Sequence, residues 1–162
     1  PGSAIDATIS TCFACNLKQW LEIIEAYEDS GYAYHATMPT DGILTFRDAM
    51  KETSEYGFEK VRAEQQELGD RVRNLLTENG FKGVAAEGYQ APSVVVCYTD
   101  DSDIKNGKKF ATAGLQIAAG VLLRCDETED FQTFRLGLFG LDKLHNVERT
   151  VKNLAAALDR IQ

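Results

Sequence analysis

Basic residues, cysteines, histidines and long apolar runs are all scarce in this sequence. Seventeen lysines and arginines stand against 25 aspartates and glutamates, so the 162 residues carry a formal net charge of −8. A nucleic-acid binder needs a basic face to neutralise phosphates, so no nucleic-acid partner is expected. The four cysteines are Cys12, Cys15, Cys97 and Cys125. A small secreted disulfide scaffold carries more of them in a shorter chain, so reduced thiols and a cytoplasmic location are expected. Cys12-Phe13-Ala14-Cys15 has the spacing of a redox or zinc motif. Cys97 and Cys125 supply no second close pair, and no clear strand precedes the motif, so the reading is two ordinary thiols. The two histidines, His35 and His145, lie far apart and give a histidine-centred triad little support. No apolar run approaches the ~20 residues of a membrane helix, and no signal peptide is read.

Several catalytic signatures are missing as well. There is no GxSxG elbow, no GxxxxGK[ST] phosphate loop and no HExxH pair. Gly137-Leu138-Phe139-Gly140 lacks the third glycine of a dinucleotide fingerprint. Asp101-Ser102-Asp103 begins like a calcium loop, but Lys105, Asn106 and Thr112 occupy positions that a ligand, a turn glycine and a glutamate require. The acidic run Asp126–Asp130 reads as a solvated turn.

What is present is periodic. Leu17, Trp20, Leu21, Ile24 and Tyr27 form one stripe of a helix over 16–28, with Asn16 as N-cap and Asp29-Ser30-Gly31 as its end. Met38-Pro39 predicts an extended approach to a second helix carrying Ile43, Phe46, Ala49 and Met50, broken near Gly57. A third helix over 58–78 has the stripe Phe58, Val61, Leu68, Val72, Leu75 and Leu76, and Asn79-Gly80 stops it. Val94–Tyr98 is the strongest strand signal. A helix is expected over 104–115, strands over 117–123 and 131–139, and a closing helix over 142–161 built on Leu144, Val147, Val151, Leu154, Leu158 and Ile161. These predict an α+β, two-layer fold in which a small, mainly antiparallel sheet is covered by helices on one face.

Two segments stand out. Arg135 lies inside a strand whose opposite face, Phe134, Leu136 and Leu138, is apolar. A guanidinium there can grip a carboxylate through two parallel charge-assisted hydrogen bonds, with Gly137 leaving room for the ligand. It can equally be an arginine on a wet sheet face, paired with Asp or Glu. Tyr32–Thr40 gathers hydroxyls before a helix, which suits an anion or an ordinary capped connection.

Taken together, Tyr34–Asp41, Gln90–Val96 and Phe134–Gly140 resemble the class V aminotransferases, which are pyridoxal-phosphate enzymes of fold type I. Within that class the likeness is to the alanine–glyoxylate and serine–glyoxylate group. Asp142–Val147 also looks like the family's closing helix, and the ordered likeness covers nearly the whole chain. The resemblance implies that Arg135 grips the substrate carboxylate. It implies that Tyr34 and Thr37 hydrogen-bond the phosphate of pyridoxal 5'-phosphate in the neighbouring subunit of a homodimer. Gly120 falls where the family has a glycine near the active site. The lysine that holds the cofactor covalently belongs to a stretch upstream of Tyr34, and nothing here matches it; Lys18 lies outside that motif. The chain therefore looks like the C-terminal portion of such an enzyme: residues 1–55 the tail of the cofactor domain, 56–162 the small domain. By itself it is expected to be inactive, with no catalytic residue and no metal site of its own. Substrates would be small amino acids and 2-oxo acids such as glyoxylate or pyruvate. A stand-alone α+β module that binds a small carboxylate, and a lyase of the same fold type, are the alternatives.

Overall fold

The computed structural model describes residues 2–7, 9–13, 15–37 and 39–161. The extended conformation expected at Met38 lies outside them. Two compact units divide at residue 48, within a continuous helix, and each is described by itself.

The first unit holds α1 (Gly2–Asp6), α2 (Leu17–Glu28) and the start of α3 (Thr40–Tyr56). Asn16 caps α2 as expected, its side-chain oxygen accepting from the Gln19 amide. The end of α2 differs from the expectation in one residue. Ser30, not Gly31, takes the left-handed backbone, at φ 62°. The Ser30 and Gly31 amides then reach back to the carbonyls of Tyr27 and Ala26 at 3.1 and 2.7 Å, which satisfies two of the helix's last acceptors. The covered side of α2 is also turned by about one residue: Ile23 is buried, while Leu17, Ile24 and Tyr27 of the expected stripe are exposed.

The second unit contains α4 (Phe58–Glu78), β1 (Val94–Tyr98), α5 (Ser102–Lys105), α6 (Lys108–Thr112), β2 (Ala118–Ala119), β3 (Thr133–Gly137), α7 (Leu141–Leu144) and α8 (Val147–Ile161). The sheet order is β1-β3-β2, and both pairings are antiparallel. Lys82–Val84 borders the other side of β1, with the Tyr98 amide on the Lys82 carbonyl and the Val84 amide on the Val96 carbonyl. One face of the sheet, Val95, Cys97, Phe134 and Leu136, packs with α4 and α8 into a single core that includes Leu68, Val72, Leu76, Phe110, Leu154 and Leu158. Phe134 is at its centre, with Phe81 edge-on at 5.1 Å and Phe110 tilted at 5.5 Å. The architecture is α+β, with helices and a small antiparallel sheet.

The strand expected over 131–139 is Thr133–Gly137, and three further expected elements are shorter or divided, each for a local reason. The helix expected over 104–115 is two helices, because Gly107 adopts φ 80° and interrupts the run. The closing helix is α7 and α8, because the Asn146 side chain caps a new start by accepting from the Arg149 amide at 2.9 Å. The strand expected over 117–123 shrinks to Ala118–Ala119. At Gly120 the backbone runs so close to β3 that an added Cβ would stand 1.9 Å from the Thr133 carbonyl oxygen. Thr133 is buried beneath this approach, whereas Val121, Leu122 and Leu123 beyond it are exposed.

Candidate functional site

Arg135 occupies the middle of the central strand, in register with Val96 on one side and Ala118 on the other. Alternation along β3 puts it on the face away from the core, with Gly137 and Thr133. Its Nε donates to the Ala119 carbonyl at 3.0 Å. Among the described residues its two terminal nitrogens make no hydrogen bond, and no carboxylate forms an ion pair with it. A guanidinium anchored through Nε presents its outer edge for the two parallel bonds that a carboxylate accepts. The wet-face alternative, an arginine paired with Asp or Glu, has no such partner among these residues.

Phe139 takes part of the space expected beside Gly137. A Cβ there would stand 3.2 Å from Cε1 of Phe139, so the aromatic ring rests on the glycine. Phe139 itself is exposed. Its contact with Gly137 was not foreseeable from the sequence, because it depends on how the chain turns after β3.

Tyr34 and Thr37 belong to the first unit. Both are exposed, and their hydroxyl oxygens are 3.4 Å apart. They precede α3, whose first turn carries Asp41. Two hydroxyls converging in one loop are donors of the kind a phosphate accepts. That chemistry fits the phosphate end of pyridoxal 5'-phosphate, with Tyr34 and Thr37 as the residues that would hold it. Lys18 is exposed on α2 and stands outside this loop. His35, between the two hydroxyl residues, meets Phe13 at a tilt and Trp20 edge-on.

Other polar groups have structural partners. Asp101 caps α5, its Oδ1 accepting from the amides of Asp103 at 2.8 Å and Ile104 at 3.1 Å, while its Oδ2 accepts from Lys109 Nζ at 2.6 Å. Glu127 is more than a member of a solvated turn. Its two oxygens accept from the amides of Arg124 at 2.6 Å and Cys125 at 2.7 Å. Those bonds hold its carboxyl below the usual carboxylate range. Arg73 on α4 was not singled out by any motif, yet its Nη2 donates to the carbonyls of Ala91 and Val94 and ties the approach to β1 onto the helix. Its Nη1 is buried without a partner among the described residues, and burial lowers its pKa. The four cysteines form no disulfide among the described residues: Cys12, Cys15 and Cys125 are exposed, and Cys97 is in the core. Burial pushes the Cys97 thiol up to about 11.

Three cavities mark the second unit. The largest, about 820 Å³, is bordered by Phe81, Tyr98, Asp101, Lys109 and Phe131. One of about 480 Å³ is bordered by Arg73, Val96, Cys97 and Leu123. One of about 440 Å³ is bordered by Leu136, Gly137, Lys143, Arg149 and Asn153. Arg135, itself half-buried, lines none of these three. Among the described residues, no helix is long and apolar enough to cross a membrane. No protein-family model matches the chain, and no curated protein matches it.

Proposed function

We propose that the chain is the C-terminal portion of a pyridoxal-phosphate-dependent aminotransferase of class V and fold type I, acting on a small amino acid and a 2-oxo acid in a cytoplasmic homodimer. Residues 1–55 supply the tail of the cofactor domain and 56–162 the small domain. The observation that carries the reading is the guanidinium of Arg135, anchored at Nε and without an acidic partner among the described residues. The ordered resemblance of Tyr34–Asp41, Gln90–Val96 and Phe134–Gly140 to that family supports it.

Arg135 binds the amino acid by its carboxylate. Two parallel bonds fix rotation about the axis between the groups, so the bond to be broken at Cα is held in one orientation. Pyridoxal phosphate, when bound, supplies an electron sink for the charge that develops at Cα. Tyr34 and Thr37 would donate to the phosphate of the cofactor held by the neighbouring subunit. The reactive lysine lies on the cofactor domain upstream of Tyr34, so the chain by itself turns over no substrate.

The test is Arg135→Lys in the complete enzyme. Lysine keeps the charge and loses the fork. Losing one charge-assisted hydrogen bond, worth about 1.5–3 kcal/mol, should raise the KM for the amino acid roughly 10- to 100-fold. A KM within about twofold of the parent's would refute the role.

The same guanidinium supports a second reading, a module that binds a small carboxylate without the cofactor. Carboxylate binding that depends on Arg135 and is indifferent to pyridoxal 5'-phosphate would favour that module over the transferase.

A further inference from the structure

Tyr34 and Thr37 cannot hold each other in place. Their hydroxyls are 3.4 Å apart, beyond the 2.5–3.0 Å range of a sound O–H···O bond. Both side chains are exposed, so packing does not fix them directly. The residue between them is half-buried and meets two aromatic rings. The His35 ring lies 4.4 Å from Phe13, with planes tilted by 34°, and 5.2 Å from Trp20, which meets it edge-on at 78°. Its Nε2 is buried and has no hydrogen-bond partner among the described residues. A buried imidazole nitrogen without a partner is a cost, so the ring owes its position to its aromatic neighbours and not to a bond from that atom.

We infer that His35 is a positioning residue for the cofactor phosphate. Clamped between Phe13 and Trp20, it sets the backbone of 34–37 and thereby the two hydroxyls on either side of it. This rests on the reading that Tyr34 and Thr37 face the phosphate of pyridoxal 5'-phosphate. It adds that the aromatic ring, not the imidazole nitrogen, carries the role. A phenylalanine should therefore replace His35, and an alanine should not.

Two measurements test it. In this chain Trp20 is the single tryptophan, so intrinsic emission reports the clamp directly. His35→Ala should change the emission maximum and yield, and an unaltered spectrum would overturn the clamp. In the complete enzyme, equilibrium dialysis compares pyridoxal 5'-phosphate with pyridoxal, which lacks the phosphate. His35→Ala should weaken retention of the phosphorylated form roughly tenfold, the loss expected when two hydrogen bonds are loosened. It should leave pyridoxal within about twofold, and His35→Phe should restore the parent value. A loss as large in His35→Phe as in His35→Ala would overturn the inference, because it would place the role on the nitrogen. Equal losses for both cofactor forms would overturn it as well, because a general packing defect moves both. Should His35→Ala fail to fold, Phe13→Ala removes the other half of the clamp and is held to the same outcomes. Tyr34→Phe separates the two levels. If it weakens retention while His35→Ala does not, the positioning role falls and the phosphate reading stands. If Tyr34→Phe changes nothing, the phosphate reading falls, and this inference with it.

Discussion

A single carboxylate at Asp101 satisfies two backbone amides and one ammonium group. The Lys109 hydrogen bond, followed by the Ile104 amide, holds its pKa below the ordinary value. A carboxyl with a depressed folded-state pKa contributes stability that is complete above its unfolded value, about 3.9, and is lost as pH falls through the folded value. Asp101→Asn should therefore lower the thermal midpoint at pH 6 and flatten its dependence on pH below about 4. Thermal melts across that range check this; a variant whose acid-side slope equals the parent's would count against the assignment. The sequence alone made this residue look like the first ligand of a failed calcium loop. The capping role was legible in principle, because Asp before a short helix is a known signal. The Lys109 contact was not, because it requires Gly107 to turn α6 back toward α5. Arg135 divides in the same way. Its strand and face followed from alternation, but whether a carboxylate partnered it depended on residues far away in the chain.

Elements with one strong period were the most legible. The stripe of α8 places Leu154, Leu158 and Ile161 in the core as the sequence predicts. The break before it was hidden, since Leu144 and Val147 keep the helical spacing on both sides of Asn146. The segment after Ala119 was misread for a different reason. Val121, Leu122 and Leu123 have the composition of a strand, but register is decided by the backbone contact at Gly120. That contact predicts a sharp result. Gly120→Ala forces Cβ against the Thr133 carbonyl oxygen, so β2 must separate from β3 or shift along it. The expected cost is about 1–3 kcal/mol, measured by urea unfolding. It should come with loss of amide protection along Thr133–Arg135. A variant as stable as the parent would show that this edge of the sheet is not closely packed.

For the whole molecule, apolar exposure is the dominant feature of the first 50 residues. Leu17, Ile24 and Tyr27 on α2, and Ile43, Leu44, Phe46 and Met50 on α3, are all exposed. Each helix carries a clear apolar stripe in its sequence, and stripes of that kind normally lie against other protein. Expressed as it stands, the chain should associate into dimers or larger species. Light scattering over a concentration series checks this, and the mass of a single chain at every concentration would contradict it.

From Asp41 to Met50, ten successive residues of α3 are exposed. A helical stretch in that condition keeps its shape through its own main-chain bonds and residue preferences, which are marginal in water. On warming, that stretch should unravel first, well before the layer built on Phe134 gives way. A protease probing the native chain would thus find its earliest foothold at Arg47 or Lys51.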